Sequence, residues 1–283
     1  MNQVLGGVTK NDAIKFQFRI LLGSNGYKMI KCAKNNDDII AACLRAAWAD
    51  TFRHTTKNNS EWDKKNDEGK NNAVCELLHD KAILEKFKKY AEAEATKDLQ
   101  CAECTKELKC TECIKGKNYK ISILYDNLVD LAENFKKVKL SRDGEMLRFG
   151  HFQKLFNMAL KYYLCIYFFQ EELGISNSLE KPFFEDVEYI FKNADCPVDS
   201  NILQKIDERL SKPEDKEFPK DYIEELRNEY GNQKFVGIAW SSLGKDDNGI
   251  KKYISIQKVI SKLLKDEKSN LYFDFKNWRS NLK

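Results

Sequence analysis

The stretch Gly150 to Phe169, GHFQKLFNMALKYYLCIYFF, limits what this chain can fold into more than any other. Read as a helix, it spreads Leu155, Phe156, Leu160, Tyr163, Leu164 and Phe168 over most of its circumference, so it belongs inside a shell of other elements. It is too short to span a membrane. Its longest apolar part, Leu155 to Phe169, is interrupted by Asn157 and Lys161 and falls short of the roughly 20 residues a bilayer requires. Lys154 and Lys161 stand seven residues apart, about two helical turns, and so share nearly one face with Asn157 and Met158 between them. Solvent or an acidic neighbour is the ordinary destination of such a polar stripe. A lysine flanked by core is also where desolvation can turn an amine into a nucleophile.

The shell has to be helical as well. Segments near 38–57, 71–95, 117–139, 152–173, 183–192, 200–210, 219–230, 250–266 and 273–281 carry apolar residues at three- and four-residue spacing, and only four prolines interrupt the chain. VLGGVT suits a small N-terminal β-hairpin, and KFQFRILLGSNGYKMIKCA suits a second with SNG as its turn. The fold class is therefore mainly α. No internal repeat or low-complexity linker divides the chain, so residues 1–283 read as one helical domain in two lobes, with loops or insertions at 57–70, 96–118 and 211–219.

The charge balance, 48 − 44 = +4, permits nucleic-acid binding without arguing for it, because charges of both signs are mixed along the chain. The first residues, MNQVLGGVTKNDAIKF, lack the cationic start and apolar core of a signal peptide, so the expectation is an intracellular, cytoplasmic protein with no membrane partner. Its nine cysteines fit reduced thiols better than a secreted disulfide framework, since the count is odd and Cys43 and Cys165 fall in apolar helical patterns. Four of them differ. Cys101, Cys104, Cys110 and Cys113 form CAECTKELKCTEC, two C-x-x-C knuckles that could place four thiolates on one structural zinc within the 96–118 insertion. A pair of reduced or redox-active C-x-x-C turns is the other reading.

A second stretch, DCPVDSNILQKI, gives Lys154 a potential partner. Asp199 follows Pro197 and Val198 and precedes an amphipathic segment, which suits a helix N-cap whose carboxylate accepts from free backbone N–H groups. Capping alone needs no chemistry. Taken together, however, the two stretches resemble the helix-hairpin-helix DNA glycosylases of the 8-oxoguanine type. In that family a Gly-x-x-x-Lys turn starts the helix with the catalytic lysine, and a later Pro-Val-Asp supplies the catalytic aspartate at the start of another. Gly150 matches the turn glycine, Lys154 the lysine, Pro197 and Val198 the dipeptide, and Asp199 the aspartate. Phe152 stands where the family has its second hairpin glycine, and the separation 199 − 154 = 45 implies an insertion around GISNSLEKPFFED. In these departures the chain is more similar to the divergent archaeal enzymes than to the eukaryotic ones.

The resemblance implies a monomer that acts on DNA carrying a modified nucleotide flipped out of the duplex. Lys154 would attack C1′, displace the base and leave a Schiff base, while Asp199 would stabilise positive charge on the sugar and help deprotonate the amine. Phe149, Phe152 and Trp240 are candidates for stacking walls. Arg148, His151 and Lys161 are candidates for phosphate or orienting contacts, each equally explained by packing or a solvated charge. Arg45, Asp50, Arg53 and His54 could edge a pocket, His79 reads as structural, and no H-x-x-x-H or H-E-x-x-H motif suggests a catalytic zinc. Two further classes fit the same residues: a helical module that binds nucleic acid without cutting it, and a protein-interaction scaffold.

Overall fold

A computed structural model of the chain describes residues 4–16, 27–56, 81–95, 149–175, 183–211, 224, 234–240, 243, 247–265 and 268–277. These residues are mainly helical, with one small antiparallel hairpin. In chain order the elements are β1 Val4–Leu5, β2 Val8–Thr9, α1 Lys10–Lys15, α2 Asn36–Thr56 and α3 Lys81–Ala95. They continue with α4 Phe149–Phe168, α5 Val187–Asn193, α6 Ser200–Ser211, α7 Asp247–Leu263 and α8 Asn270–Asn277. Among the described residues, no helix is long and apolar enough to cross a membrane.

Helix α4 is the axis of the molecule. Every residue in it except His151 and Tyr167 is buried, as its all-round apolar pattern requires. Its largest contact is with α2, a helix whose buried residues include the small Ala41, Ala42, Ala46 and Ala47. Asn35 starts α2 by accepting from Asp38 N at 3.0 Å, and the Asp38 carboxylate returns a bond to Lys34 N at 2.6 Å. This reciprocal cap holds the acidic first turn where the helix dipole favours it. On α4, Tyr163 OH donates to Asn36 Oδ1 at 2.7 Å and accepts from Phe184 N at 2.9 Å, so the chain is fastened to α4 again within the stretch expected to be an insertion.

The VLGGVT hairpin forms as expected, with Val4 opposite Thr9 and Leu5 opposite Val8. Gly6 and Gly7 take φ of +55° and +85°, the left-handed pair that a two-residue turn demands. A Cβ on Gly6 would lie 2.2 Å from Phe191 O, so this turn can also press against α5 only because it lacks one. Thr9 and Asp12 then cap α1 reciprocally. Gly6 O accepts from Ser269 N at 3.0 Å, which brings the start of the chain to α8. The expectation of a second hairpin is not met where it can be seen. Residues 27–31 are helical, with Cys32 N donating to Lys28 O at 3.0 Å, because Ile30 turns inward and Met29 packs beside Arg45 on α2. Residues 17–26, including all of SNG, lie outside the described set, as do the expected segments 117–139 and 96–118 and all but one residue of 219–230.

Candidate functional site

Helix α6 begins where the sequence places it. Asp199 Oδ1 accepts from Asn201 N and Ile202 N, both at 3.0 Å, and Leu203 N donates to Asp199 O at 3.0 Å. The carboxylate therefore caps the helix with one oxygen. Its other oxygen, Oδ2, lies 3.0 Å from Lys154 Nζ, which projects from α4 one turn after Gly150. The pair is neither core nor open surface, with side-chain exposures of 11% for Lys154 and 17% for Asp199. Partial shielding strengthens the attraction over that of a surface pair.

Trp240 stands over this amine, its ring centroid 5.0 Å from Lys154 Nζ, and His151 meets the same indole edge-on at 5.5 Å. The segment that carries Trp240 is fastened at two points. Asp207 on α6 accepts from Phe235 N at 3.0 Å and Val236 N at 2.6 Å, and Leu243 O accepts from Gly150 N at 2.9 Å. Gly150, His151, Lys154, Asp199 and Trp240 are thus gathered in one place by α4, α6 and the 234–243 segment.

The remaining sequence candidates are distributed differently. Phe149 and Phe152, expected as stacking walls, face inward at 1% and 2% exposure; Phe149 meets the Tyr253 ring edge-on at 5.3 Å. Lys161, expected to meet a phosphate, is wholly enclosed and pairs with Asp274 at 2.5 Å. Its Nζ also lies 3.7 Å from the Phe16 ring centroid and 4.7 Å from that of Phe275. Burying an ammonium without a partner would cost several kcal/mol, so the opposite charge and two ring faces are what admit it to the core. Burial pushes the Asp274 carboxyl above its ordinary range, and the Lys161 ammonium opposes that rise. Arg148, His79 and the four zinc candidates, Cys101, Cys104, Cys110 and Cys113, lie outside the described residues. Among those that are described, no cluster of His, Cys, Asp and Glu could hold a metal ion.

Two polar residues of α4 acquire roles that their types alone did not announce. Gln153, wholly buried, donates through Nε2 to Val198 O at 2.7 Å and to Gly150 O at 2.9 Å, and accepts at Oε1 from Val198 N at 3.0 Å. Asn157, one turn further, accepts from Tyr90 OH and bonds Tyr253 OH at 3.1 Å through Nδ2; Tyr253 in turn donates to Asp195 Oδ2 at 3.0 Å. Burial raises both phenols well above their ordinary range, so they remain protonated donors. Cys196 is likewise kept as a thiol by burial and by the carboxylates near it, which removes it as a nucleophile. The signal for this second row was present in the sequence: Gln153, Asn157 and Lys161 recur at four-residue spacing along one face of an otherwise apolar helix.

Comparison with known proteins finds no family model that matches the chain, and no curated protein or solved structure with significant similarity to it.

Proposed function

We propose that this protein is a DNA glycosylase, with associated lyase activity, that removes a modified base through Lys154 and Asp199. The observation that carries the proposal is the Lys154 Nζ to Asp199 Oδ2 contact of 3.0 Å, made by a lysine four residues after Gly150 and an aspartate directly after Pro-Val. An amine and a carboxylate at this separation can exchange a proton. Asp199 accepts it, the free Lys154 amine attacks C1′ of the flipped nucleotide, and the N-glycosidic bond breaks with its electron pair leaving on the base. The bound proton or one from water then neutralises the released base. Transfer of one of the two protons on the attached nitrogen to the ring oxygen O4′ breaks the C1′–O4′ bond and leaves a protonated Schiff base, from which removal of a C2′ proton expels the 3′ phosphate.

The surroundings support this division of labour. The second oxygen of Asp199 is held by the start of α6, so the carboxylate keeps its place while its charge faces developing positive charge on the sugar. Trp240, half-buried over the amine, offers an aromatic face for an extruded base or sugar. Four thiolates in two C-x-x-C pairs fit a tetrahedral zinc chemically, and in this proposal the metal only orders the insertion that carries them. The DNA partner and the monomeric state belong to the same proposal.

The test is incubation of the protein with duplexes carrying a panel of modified bases, with and without borohydride. Release of an oxidised purine and a covalent adduct trapped on reduction are the expected results, both lost in Lys154→Gln. Binding without release of any base would replace the proposal with a helical module that recognises nucleic acid.

A further inference from the structure

We infer, on the reading that Lys154 and Asp199 act on DNA, that Gln153 is the positioning residue that holds Asp199 in reach of the amine. Residues 194–199 run between α5 and α6 without regular structure, so no neighbouring strand supplies partners for their backbone. Val198 is nevertheless fully buried, where an unmade N–H or C=O bond would be costly. The Gln153 amide satisfies both groups at once, at 3.0 Å and 2.7 Å, as an adjacent strand would. Gln153 is the residue before Lys154, and Val198 is the residue before Asp199. The amine and the carboxylate are therefore tied through their immediate neighbours, and a displacement of one backbone carries the other with it.

A second glutamine supplies a natural comparison. Gln257, from α7, accepts from Cys196 N at 3.0 Å and donates to Cys196 O at 2.7 Å, and Asn270 donates to Gln257 Oε1 at 3.0 Å. It secures the same segment, but from a helix that does not carry Lys154. Loss of either glutamine should loosen the segment. Only loss of Gln153 should uncouple the aspartate from the amine.

Two variants and two measurements decide the matter on the full-length protein. In Gln153→Met the single-turnover excision rate should fall about 10- to 100-fold, as expected for a displacement of about an ångström, while the DNA Kd changes less than about threefold. Carbon NMR of the Asp199 carboxylate at one fixed pH should show a resonance displaced from that of the parent. The Lys154 amine that pairs with that carboxylate, and Cys196 and Asp274 that interact with it electrostatically, are left in place by the substitution. In Gln153→Glu the neutral carboxyl keeps the acceptor for Val198 N and one of the amide's two donors, so its rate should approach that of the parent at low pH. As the new carboxyl ionises against Val198 O and Gly150 O the rate should fall, giving an alkaline limb that the parent lacks. Gln257→Met, compared where it is still folded, should change the rate less than about threefold.

A folded Gln153→Met with the parent's rate and the parent's Asp199 carboxylate resonance overturns the inference. If that variant does not fold, a Gln153→Glu profile that superimposes on the parent's overturns it. Should the parent release no base from any substrate, the glycosylase reading fails, and the Asp199 carboxylate resonance of Gln153→Met still decides whether Gln153 positions Asp199.

Discussion

Asp199 divides its carboxylate between two tasks, one oxygen capping α6 and the other 3.0 Å from the Lys154 amine. The two tasks separate by substitution. Asparagine caps a helix about as well as aspartate does, so Asp199→Asn should keep stability to within about 1 kcal/mol while slowing excision by orders of magnitude. Asp199→Ala should in addition lose roughly 1 kcal/mol with the cap. Urea unfolding beside single-turnover kinetics checks both, and an Asn variant as active as the parent would show that the charge has no part in the reaction.

Lys161 and Asp274 should behave as a structural unit. Removing one partner leaves the other charge stranded in the core, so Lys161→Met or Asp274→Leu alone should cost roughly 3–5 kcal/mol, and the double variant should recover most of that loss. The single Lys161→Met variant should also acquire a pH dependence. Burial already holds the Asp274 carboxyl above its ordinary range, and loss of the ammonium that opposes this lifts it further. A carboxyl with a folded-state pKa above its unfolded value contributes stability that is present at low pH and lost as pH rises through the folded value. The deficit of Lys161→Met relative to the parent should thus narrow as pH falls from neutrality toward the ordinary aspartate range, measured by denaturant midpoints at each pH.

The cysteines divide by accessibility. Cys43, Cys165 and Cys196 are enclosed, and burial pushes all three thiols above their ordinary range, whereas Cys32 is exposed. Iodoacetamide on the native protein should modify Cys32 and spare the other three until denaturant is added, as peptide mass mapping would record. Labelling of Cys196 at the rate of Cys32 would mean that the segment leading to Asp199 opens readily.

The C-x-x-C pairs give a prediction independent of catalysis. Protein purified without chelator should hold about one zinc per chain, and Cys101→Ser or Cys113→Ser should release it. Excision should survive that loss far better than it survives Lys154→Gln. Elemental analysis showing no metal after anaerobic purification would leave these cysteines as ordinary thiols.

Local rules carried the sequence reading as far as local interactions reach. The apolar run around Leu155 to Phe169 identified the central helix, VLGGVT suited the first hairpin, and Pro-Val-Asp before an amphipathic segment identified the capped start of α6. Each depends on residues within about four positions of one another, through helical periodicity, positive φ or a cap. Residues 27–31 were misread because a short apolar run fits a strand and a buried helical turn equally well, and packing beside α2 decided between them. The fates of Lys154 and Lys161 could not be separated from sequence at all, since both lie on nearly one face of the same helix. Closure of the chain over 45 residues brought Asp199 to the first, near the surface, and closure over 113 residues brought Asp274 to the second, inside the core. Gln153 found Val198 in the same way. Helix periodicity sets the direction in which a side chain leaves its backbone, but the partner and depth that determine its chemistry are set by distant segments, and these meet only when the core is formed.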